Sequence, residues 1–307
     1  MGSGGVHQWQ VTRPTGADFG LMAIAVAGVS LSAPLTALVA APFLGIAFWR
    51  NAIGAALLWP VAGTRYRAEL RGLSGRQWRL CLLSGAFLAA HFCAWLPSVT
   101  LTSVAASTAL VCTTPIWTAL AARLAGNPVP GRVWLGLALA LGGIALVTGV
   151  DVTVSREALL GDLLALIGGI LAAGYVLLGS LVRATVSTTT YVTVCYSTCA
   201  VLVAVAALVS GTPLVGYSGR DWLLILAITL AAQMLGHTLF NRVVSTVGPT
   251  VVGLAILIEV PGAGLLAFVL LGQVPPLLAV PGLVLLVGGI AVVIRAGGNR
   301  VESGPVS

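Results

Sequence analysis

The sequence predicts an all-α integral membrane protein with ten transmembrane helices, arranged as two inverted repeats of five helices each. Of its 307 residues, 58% are hydrophobic and only 7% are charged, whereas soluble proteins carry about 25% charged residues. Ten apolar segments follow one another along the chain, each close to the roughly 20 residues that a transmembrane helix needs. The second half of the chain also repeats the first.

The ten segments can be placed from the apolar runs and the turns between them. Turns rich in proline, glycine or arginine separate most of the segments. The predicted spans cover residues 19–40, 43–62, 78–96, 102–124, 134–150, 159–181, 191–210, 222–243, 251–271 and 277–295. The remaining tails, residues 1–17 and 296–307, are expected in the cytoplasm.

The repeat has a constant offset of 146 residues and needs no gap. From 115 to 147 the sequence matches 261 to 293 at 14 of 33 positions. Pro115 aligns with Pro261, and His91 aligns with His237. The two units are residues 18–150 and 158–295. Because each unit holds an odd number of helices, the second must be upside down relative to the first, which is an architecture typical of transporters.

Arginine placement predicts the orientation. All 15 basic residues are arginine. With the N-terminus inside, the intracellular segments hold 12 arginines and the extracellular segments hold two. Loops rich in basic residues stay in the cytoplasm, so both termini are predicted to be cytoplasmic in a multi-pass protein of the cell membrane. The formal charge of +7 is therefore a topology signal, and no nucleic-acid partner is expected.

Two stretches resemble a known family. The run TSVAASTALVCTTPIWTALAARLAGN with GLALALGGIALV, and the run GHTLFNRVVSTVGPTVVGLAILIEVPGAGLLAFVLLGQ with GLVLLVGGIAVV, resemble the two EamA repeats of the drug/metabolite transporter superfamily. The resemblance implies ten helices in two inverted halves, a central cavity, and export or exchange of small metabolites without ATP. The family's usual glutamate after the glycine is replaced by Asn127 and Gln273, so any role of that glutamate is lost here or reduced to the hydrogen bonding of an amide.

Glu259 is the first candidate for a functional residue. It lies near the middle of an apolar span, where a charge costs about 2.5–3.5 kcal/mol on insertion scales. Pro261 follows two residues later, removes an amide hydrogen and crowds the carbonyl of Leu257, which predicts a bend beside the carboxylate. Glu259 can therefore exchange a proton or pair with a cationic substrate from a central cavity, or it is a structural carboxylate tied to a backbone amide or an arginine.

Three further ionisable residues lie at membrane depth. Arg50 is about 12 Å into its helix at 1.5 Å per residue, and it is expected to pair with Glu259 or with a substrate carboxylate, or else to snorkel to the interface. His91 and His237 hold equivalent repeat positions and can serve either a proton-coupled cycle or hydrogen bonding between helices.

Aromatic side chains and prolines complete the predicted site. The aromatic candidates for lining the cavity are Trp95, Trp117, Tyr175, Tyr196 and Phe240. Pro115 and Pro261 are expected to break their helices near the site. The five cysteines show no metal-ligand pattern, so neither a metal nor a cofactor is predicted.

Three functions remain open at this point. The leading one is a secondary transporter for a small molecule, such as a metabolite, an amino acid or a drug-like compound, with or without proton coupling. The second is a membrane-embedded enzyme of lipid or prenyl metabolism, although this sequence lacks the clustered acids that such chemistry needs. The third is a structural subunit without a cavity. The protein is expected to be a monomer or a homodimer, since its glycine-rich helix faces allow close contact.

Overall fold

Helices occupy each of the apolar segments that the sequence predicts. The computed structural model describes residues 15–148, 155–274 and 277–298, and these residues form α-helices and one π-helical segment, without a β-strand. In chain order the elements are α1 (Gly16–Ser30), α2 (Ser32–Ala37), α3 (Phe43–Arg65), α4 (Arg67–Arg71), α5 (Gly75–Leu101), α6 (Val104–Val111), α7 (Thr114–Leu124), α8 (Gly131–Thr148), α9 (Arg156–Arg183), α10 (Thr188–Ser210), α11 (Gly219–Ile228), the π-helical segment (Thr229–His237), α12 (Thr238–Leu257), α13 (Glu259–Leu271) and α14 (Ala279–Gly298).

Polar caps begin several helices, and glycines end others. The side chains of Thr15, Ser74 and Ser218 accept hydrogen bonds from backbone N–H groups three residues later. These bonds satisfy donors that the first turn of a helix leaves free. Gly126 and Gly272 follow α7 and α13 with φ angles of 83° and 68°, in the left-handed region that commonly terminates a helix.

The prediction of ten spans is confirmed for eight of them. Eight helical stretches in the described residues are long and apolar enough to cross a membrane: Gly16–Ala37, Phe43–Arg65, Gly75–Leu101, Val104–Leu124, Arg156–Arg183, Thr188–Ser210, Gly219–Pro249 and Val251–Leu271. The fifth and tenth predicted spans correspond to the shorter apolar helices Gly131–Leu146 and Val280–Val293. These two rise about 24 and 21 Å at 1.5 Å per residue, less than the roughly 30 Å of a bilayer core.

The fourth and ninth predicted spans break at the same repeat position. Between α6 and α7 the break falls at Cys112 and Thr113, and between α12 and α13 it falls at Ile258, which is 146 residues after Cys112. The preceding turns coincide as well. Thr102 is extended, and Gly248, 146 residues later, has φ 81° and ψ 162° inside α12. The backbone therefore carries the repeat that the sequence predicts.

The helices α8 and α14 pack against each other through glycines, in opposite directions. A Cβ built on Gly136 would lie 2.7 Å from the Gly289 carbonyl oxygen, and one on Gly143 would lie 2.5 Å from the Gly282 carbonyl oxygen. The earlier glycine of one helix thus meets the later glycine of the other, so the pair is antiparallel. Gly282 and Gly289 are the repeat equivalents of Gly136 and Gly143, which makes the contact reciprocal. These faces are therefore occupied within the chain.

Contacts between the two halves follow the same reciprocal pattern. α5 packs along α9, while the π-helical segment and α12 pack along α1. α3 packs on α10, and α6 on α13. The broken helices consequently meet in the middle of the molecule, with α1, α5, α9 and α12 around them. That central position contains the cavity described next.

Candidate functional site

A central, partly open cavity lies where the broken helices cross. With its open mouth included, it encloses roughly 770 Å³ of space without atoms. Helices of both halves form its wall. The lining residues are Val29, Ser32, Leu88, His91, Trp95, Val111, Cys112, Thr114, Ala172, Tyr175, Val176, His237, Phe240, Asn241, Val244, Val252, Ile256 and Glu259.

Glu259 lies in this wall as the first residue of α13. The break before it follows from Pro261, which cannot donate to the carbonyl four residues earlier, at Leu257. In the first half, Pro115 likewise leaves the carbonyl of Val111 without its helical hydrogen bond. There, however, the Thr114 hydroxyl donates to the Val111 carbonyl oxygen at 2.9 Å. The equivalent of Thr114 in the second half is a valine, at position 260, which offers no such hydroxyl.

The Glu259 carboxylate is nearly buried, and among the described residues one weak hydrogen-bond donor lies near it. Its residue is 8% exposed, and the Cys112 thiol lies 3.8 Å from Oε2. A charge with so little hydrogen bonding is costly in an apolar environment. The side chain therefore has bonding capacity that a proton or a bound molecule can use.

Arg50 lies close to the cavity but is not part of its wall. Its guanidinium is fully buried, 4.3 Å from the centre of the Phe92 ring. Nε donates to Gln233 Oε1 at 3.1 Å and Nη1 donates to Ser32 Oγ at 3.3 Å. The charges of Arg50 and Glu259 act on each other, but the hydrogen bonds of Arg50 go to these neutral partners instead.

Gln233 joins Arg50 to the π-helical segment, and sequence reasoning missed it. Its Nε2 donates to Asn51 Oδ1 at 2.9 Å. Its backbone carbonyl accepts from Tyr196 Oη at 3.3 Å and from Thr238 Oγ1 at 2.9 Å. Segments of π-helix are rare and occur frequently at functional sites, and this one ends at His237, beside the cavity.

The two histidines both line the cavity but differ in their partners. His91 Nδ1 donates to the Gly168 carbonyl oxygen at 2.9 Å, and the ring stacks on Trp95 with centroids 5.7 Å apart. His237 instead meets the edges of Phe92 and Tyr175, with centroid distances of 6.1 and 6.2 Å. Among the described hydrogen bonds, one orients the ring of His91 and none involves the ring of His237.

The aromatic candidates divide into two groups. Trp95, Tyr175 and Phe240 line the cavity, whereas Trp117 and Tyr196 lie outside its wall. Trp117 donates to Thr113 Oγ1 at 3.1 Å, and Tyr196 is fully buried against the π-helical segment.

Asn241 is a further lining residue that the sequence analysis missed. Its amide donates to Tyr175 Oη at 2.5 Å and to the His237 carbonyl oxygen at 2.8 Å. Residues 233, 237 and 241 are all polar and recur at four-residue intervals. This spacing puts them on one side of a helix, so a search for polar stripes within apolar spans could have found all three.

The remaining predicted features lie away from the cavity wall. Pro115 and Pro261 follow the two helix breaks, and neither lines the cavity. Asn127 and Gln273 follow the glycines that end α7 and α13, also outside the wall. Within the part of the chain that the structure describes, no group of three or more His, Cys, Asp or Glu residues could hold a metal ion.

The fold and the cavity define a multi-pass membrane protein built from two similar halves around a central pocket. The model of the EamA-like transporter family matches residues 15–149 and 159–295, and the chain belongs to that family. A solved crystal structure of a protein shares the fold, with a TM-score of 0.70 and 21% identity over 93% of this chain and 99% of that chain. Comparison with curated protein sequences finds no match.

Proposed function

We propose that this protein is a secondary transporter of the drug/metabolite transporter type, which exports a small metabolite, an amino acid or a drug-like compound by alternating access. One observation carries the proposal: the nearly buried carboxylate of Glu259 lines a half-open cavity between the two halves of the chain. An ionisable residue inside a membrane protein marks a substrate or ion pathway by default.

The packing of the halves supports alternating access. Antiparallel, reciprocal contacts between α8 and α14 are what two inverted units produce. Such units can exchange conformations with each other, so that the cavity opens first to one side of the membrane and then to the other. Glu259 lies at the helix break, where Pro261 leaves the backbone without one of its helical hydrogen bonds.

We propose further that the chain crosses the cell membrane ten times with both termini in the cytoplasm. The arginine distribution supports this orientation. A cysteine introduced at Ser155 or Gly219 should then react with a membrane-impermeant reagent added outside intact cells. A cysteine introduced at Arg71 should not react, and the reverse pattern would overturn the orientation.

The proposed role of Glu259 can be tested with Glu259→Gln. The amide keeps the volume of the side chain and removes its charge and its ability to exchange a proton. We expect gradient-driven transport in liposomes to fall to the level of protein-free vesicles, while the thermal unfolding midpoint stays close to that of the unchanged protein.

The first half of the chain provides a matched control. Thr113 is the repeat equivalent of Glu259 and also lies at a helix break. Thr113→Val removes the hydrogen bond that Thr113 donates to Leu110 O and the one that it accepts from Trp117 Nε1, but no charge, and transport should persist. Full transport by Glu259→Gln would remove Glu259 from the mechanism.

A further inference from the structure

The charges that border the cavity indicate which class of molecule it can accept. Among the described residues of its wall, Glu259 is the only aspartate, glutamate, lysine or arginine. Because a carboxylate in an apolar pocket needs a positive partner to remain charged, a cation is the ligand that this wall complements.

A carboxylate ligand would need Arg50 as its positive partner. The position of the Arg50 guanidinium argues against such a contact. The guanidinium is fully buried and lies outside the wall. Phe92 covers it at 4.3 Å, and Ser32, which does line the cavity, already accepts a hydrogen bond from Nη1, while Nη2 is buried without a partner among the described residues. A substrate carboxylate would therefore meet Ser32 rather than the positive charge.

The rest of the wall is suited to a body that is apolar or aromatic. Trp95, Tyr175 and Phe240 contribute rings, and aliphatic side chains from α1, α9 and α12 fill the spaces between them. Aromatic faces also attract cations. The indole Nε1 of Trp95 is buried without a hydrogen-bond partner among the described residues.

From these contacts we infer that the transported substrate is an organic amine, bound as its cation, with an apolar or aromatic body and no carboxylate. This inference rests on the proposed transport function and names the substrate class for the same cavity. The ammonium group pairs with Glu259, and the body of the molecule occupies the aromatic wall. An amino acid built on the same phenethyl group binds less well, because its carboxylate finds neither an arginine nor a lysine among the described residues of the wall.

Four compounds that share a phenyl ring test the inference: 2-phenylethylamine, phenylalanine, 2-phenylethanol and phenylacetate. They are respectively a cation, a zwitterion, a neutral molecule and an anion at neutral pH. Binding to the purified full-length protein is measured by calorimetry, and counterflow of the radiolabelled amine and of radiolabelled phenylalanine is measured in liposomes. We expect the amine to bind at least tenfold more tightly than each of the other three.

A second comparison assigns the effect to Glu259. Glu259→Gln should weaken binding of 2-phenylethylamine at least tenfold and should leave binding of 2-phenylethanol unchanged, which also shows that the variant is folded. Phenylalanine binding as tightly as the amine would overturn the inference, and so would an amine affinity that does not change in Glu259→Gln. If phenylalanine is carried in counterflow and the amine is not, the amine inference fails while the transport function stands. If membrane vesicles with and without the protein equilibrate all four compounds equally, both fail.

Discussion

The two halves of the chain use the same positions for different purposes, and the third and eighth predicted spans show this most clearly. α5 is a continuous α-helix from Gly75 to Leu101, whereas its counterpart Gly219–Pro249 contains the π-helical segment. Phe87 in the first half corresponds to Gln233 in the second, and Trp95 corresponds to Asn241. The repeat therefore supplies a common frame, and at these two positions the second half carries an amide where the first half carries an aromatic ring.

The helix breaks differ in the same way. Thr113 and Thr114 satisfy nearby backbone carbonyl groups in the first half, at 2.6 Å from Leu110 O and 2.9 Å from Val111 O. The equivalent residues are Glu259 and Val260, which make no such bonds among the described hydrogen bonds. At the first break, side chains of the break itself bond to the backbone carbonyl groups. At the second break, a carboxylate lines the cavity. The carboxylate in the cavity wall therefore comes from a sequence difference between the two copies.

The largest expected effect on stability concerns Gln233. Gln233→Leu keeps a similar volume but leaves Arg50 Nε and Asn51 Oδ1 without their partners. Losing one hydrogen bond to a charged group and one to a neutral group costs about 2–4 kcal/mol. The thermal or denaturant-induced unfolding of the purified protein measures this loss.

The matched variant is Phe87→Leu, at the equivalent position of α5. Phe87 is half-buried against Gly174, so its shortening should cost about 1 kcal/mol, below the range for a fully buried aromatic residue. If Gln233→Leu proves no more destabilising than Phe87→Leu, the network around Arg50 does not stabilise the fold.

A smaller effect is expected where the halves are alike. Gly143→Ala would place a Cβ 2.5 Å from the Gly282 carbonyl oxygen, and Gly289→Ala would place one 2.5 Å from the Gly136 carbonyl oxygen. Both should destabilise by about 1–3 kcal/mol, because overpacking forces backbone shifts. The two values should be nearly equal, since the contacts are reciprocal.

Neighbouring glycines serve as controls for that pair. A Cβ on Gly142 or Gly288 meets no atom within 4 Å. Alanine there should be neutral or stabilising by up to about 1 kcal/mol, through helix propensity alone. Clearly unequal losses for Gly143→Ala and Gly289→Ala would show that α8 and α14 do not pack as equivalent partners.

The smallest effect is a pH dependence that arises at a position where only the first half carries a carboxylate. Glu69 in α4 accepts hydrogen bonds from Ser187 N at 2.7 Å and from Thr190 Oγ1 at 2.5 Å, at the start of α10. Burial raises the pKa of Glu69, but these bonds outweigh it and hold the pKa below the ordinary value of 4.5. The repeat-equivalent residue, Val215, is exposed and carries no charge.

The sign of the pH effect follows from the lowered pKa. The stability that Glu69 contributes is present above pH 4.5, the ordinary value for its carboxyl group, and is lost as the pH falls through its lower folded-state pKa. Glu69→Gln should therefore narrow the difference between unfolding midpoints measured at neutral and at acidic pH. An unchanged difference would mean that the cap does not contribute to stability.

The sequence by itself determined the frame of this protein. Apolar length predicts where the helices lie, and the constant offset of 146 predicts that Cys112 and Ile258 lie at equivalent places. Pro115 and Pro261 predict the breaks, because a proline disrupts its helix whatever surrounds it. Glu259 stands out in the sequence for a similar reason, since a charge inside an apolar span is costly in any fold.

Only the tertiary structure decided which side chains share the cavity. Arg50 and Glu259 are 209 positions apart, and nothing local to either residue predicts that Arg50 bonds to Gln233 and Ser32. Trp117 and Tyr196 resemble Trp95 and Phe240 in the sequence but lie outside the wall. The physical reason is that a helix leaves open which of its faces meets another helix, and packing between distant segments makes that choice.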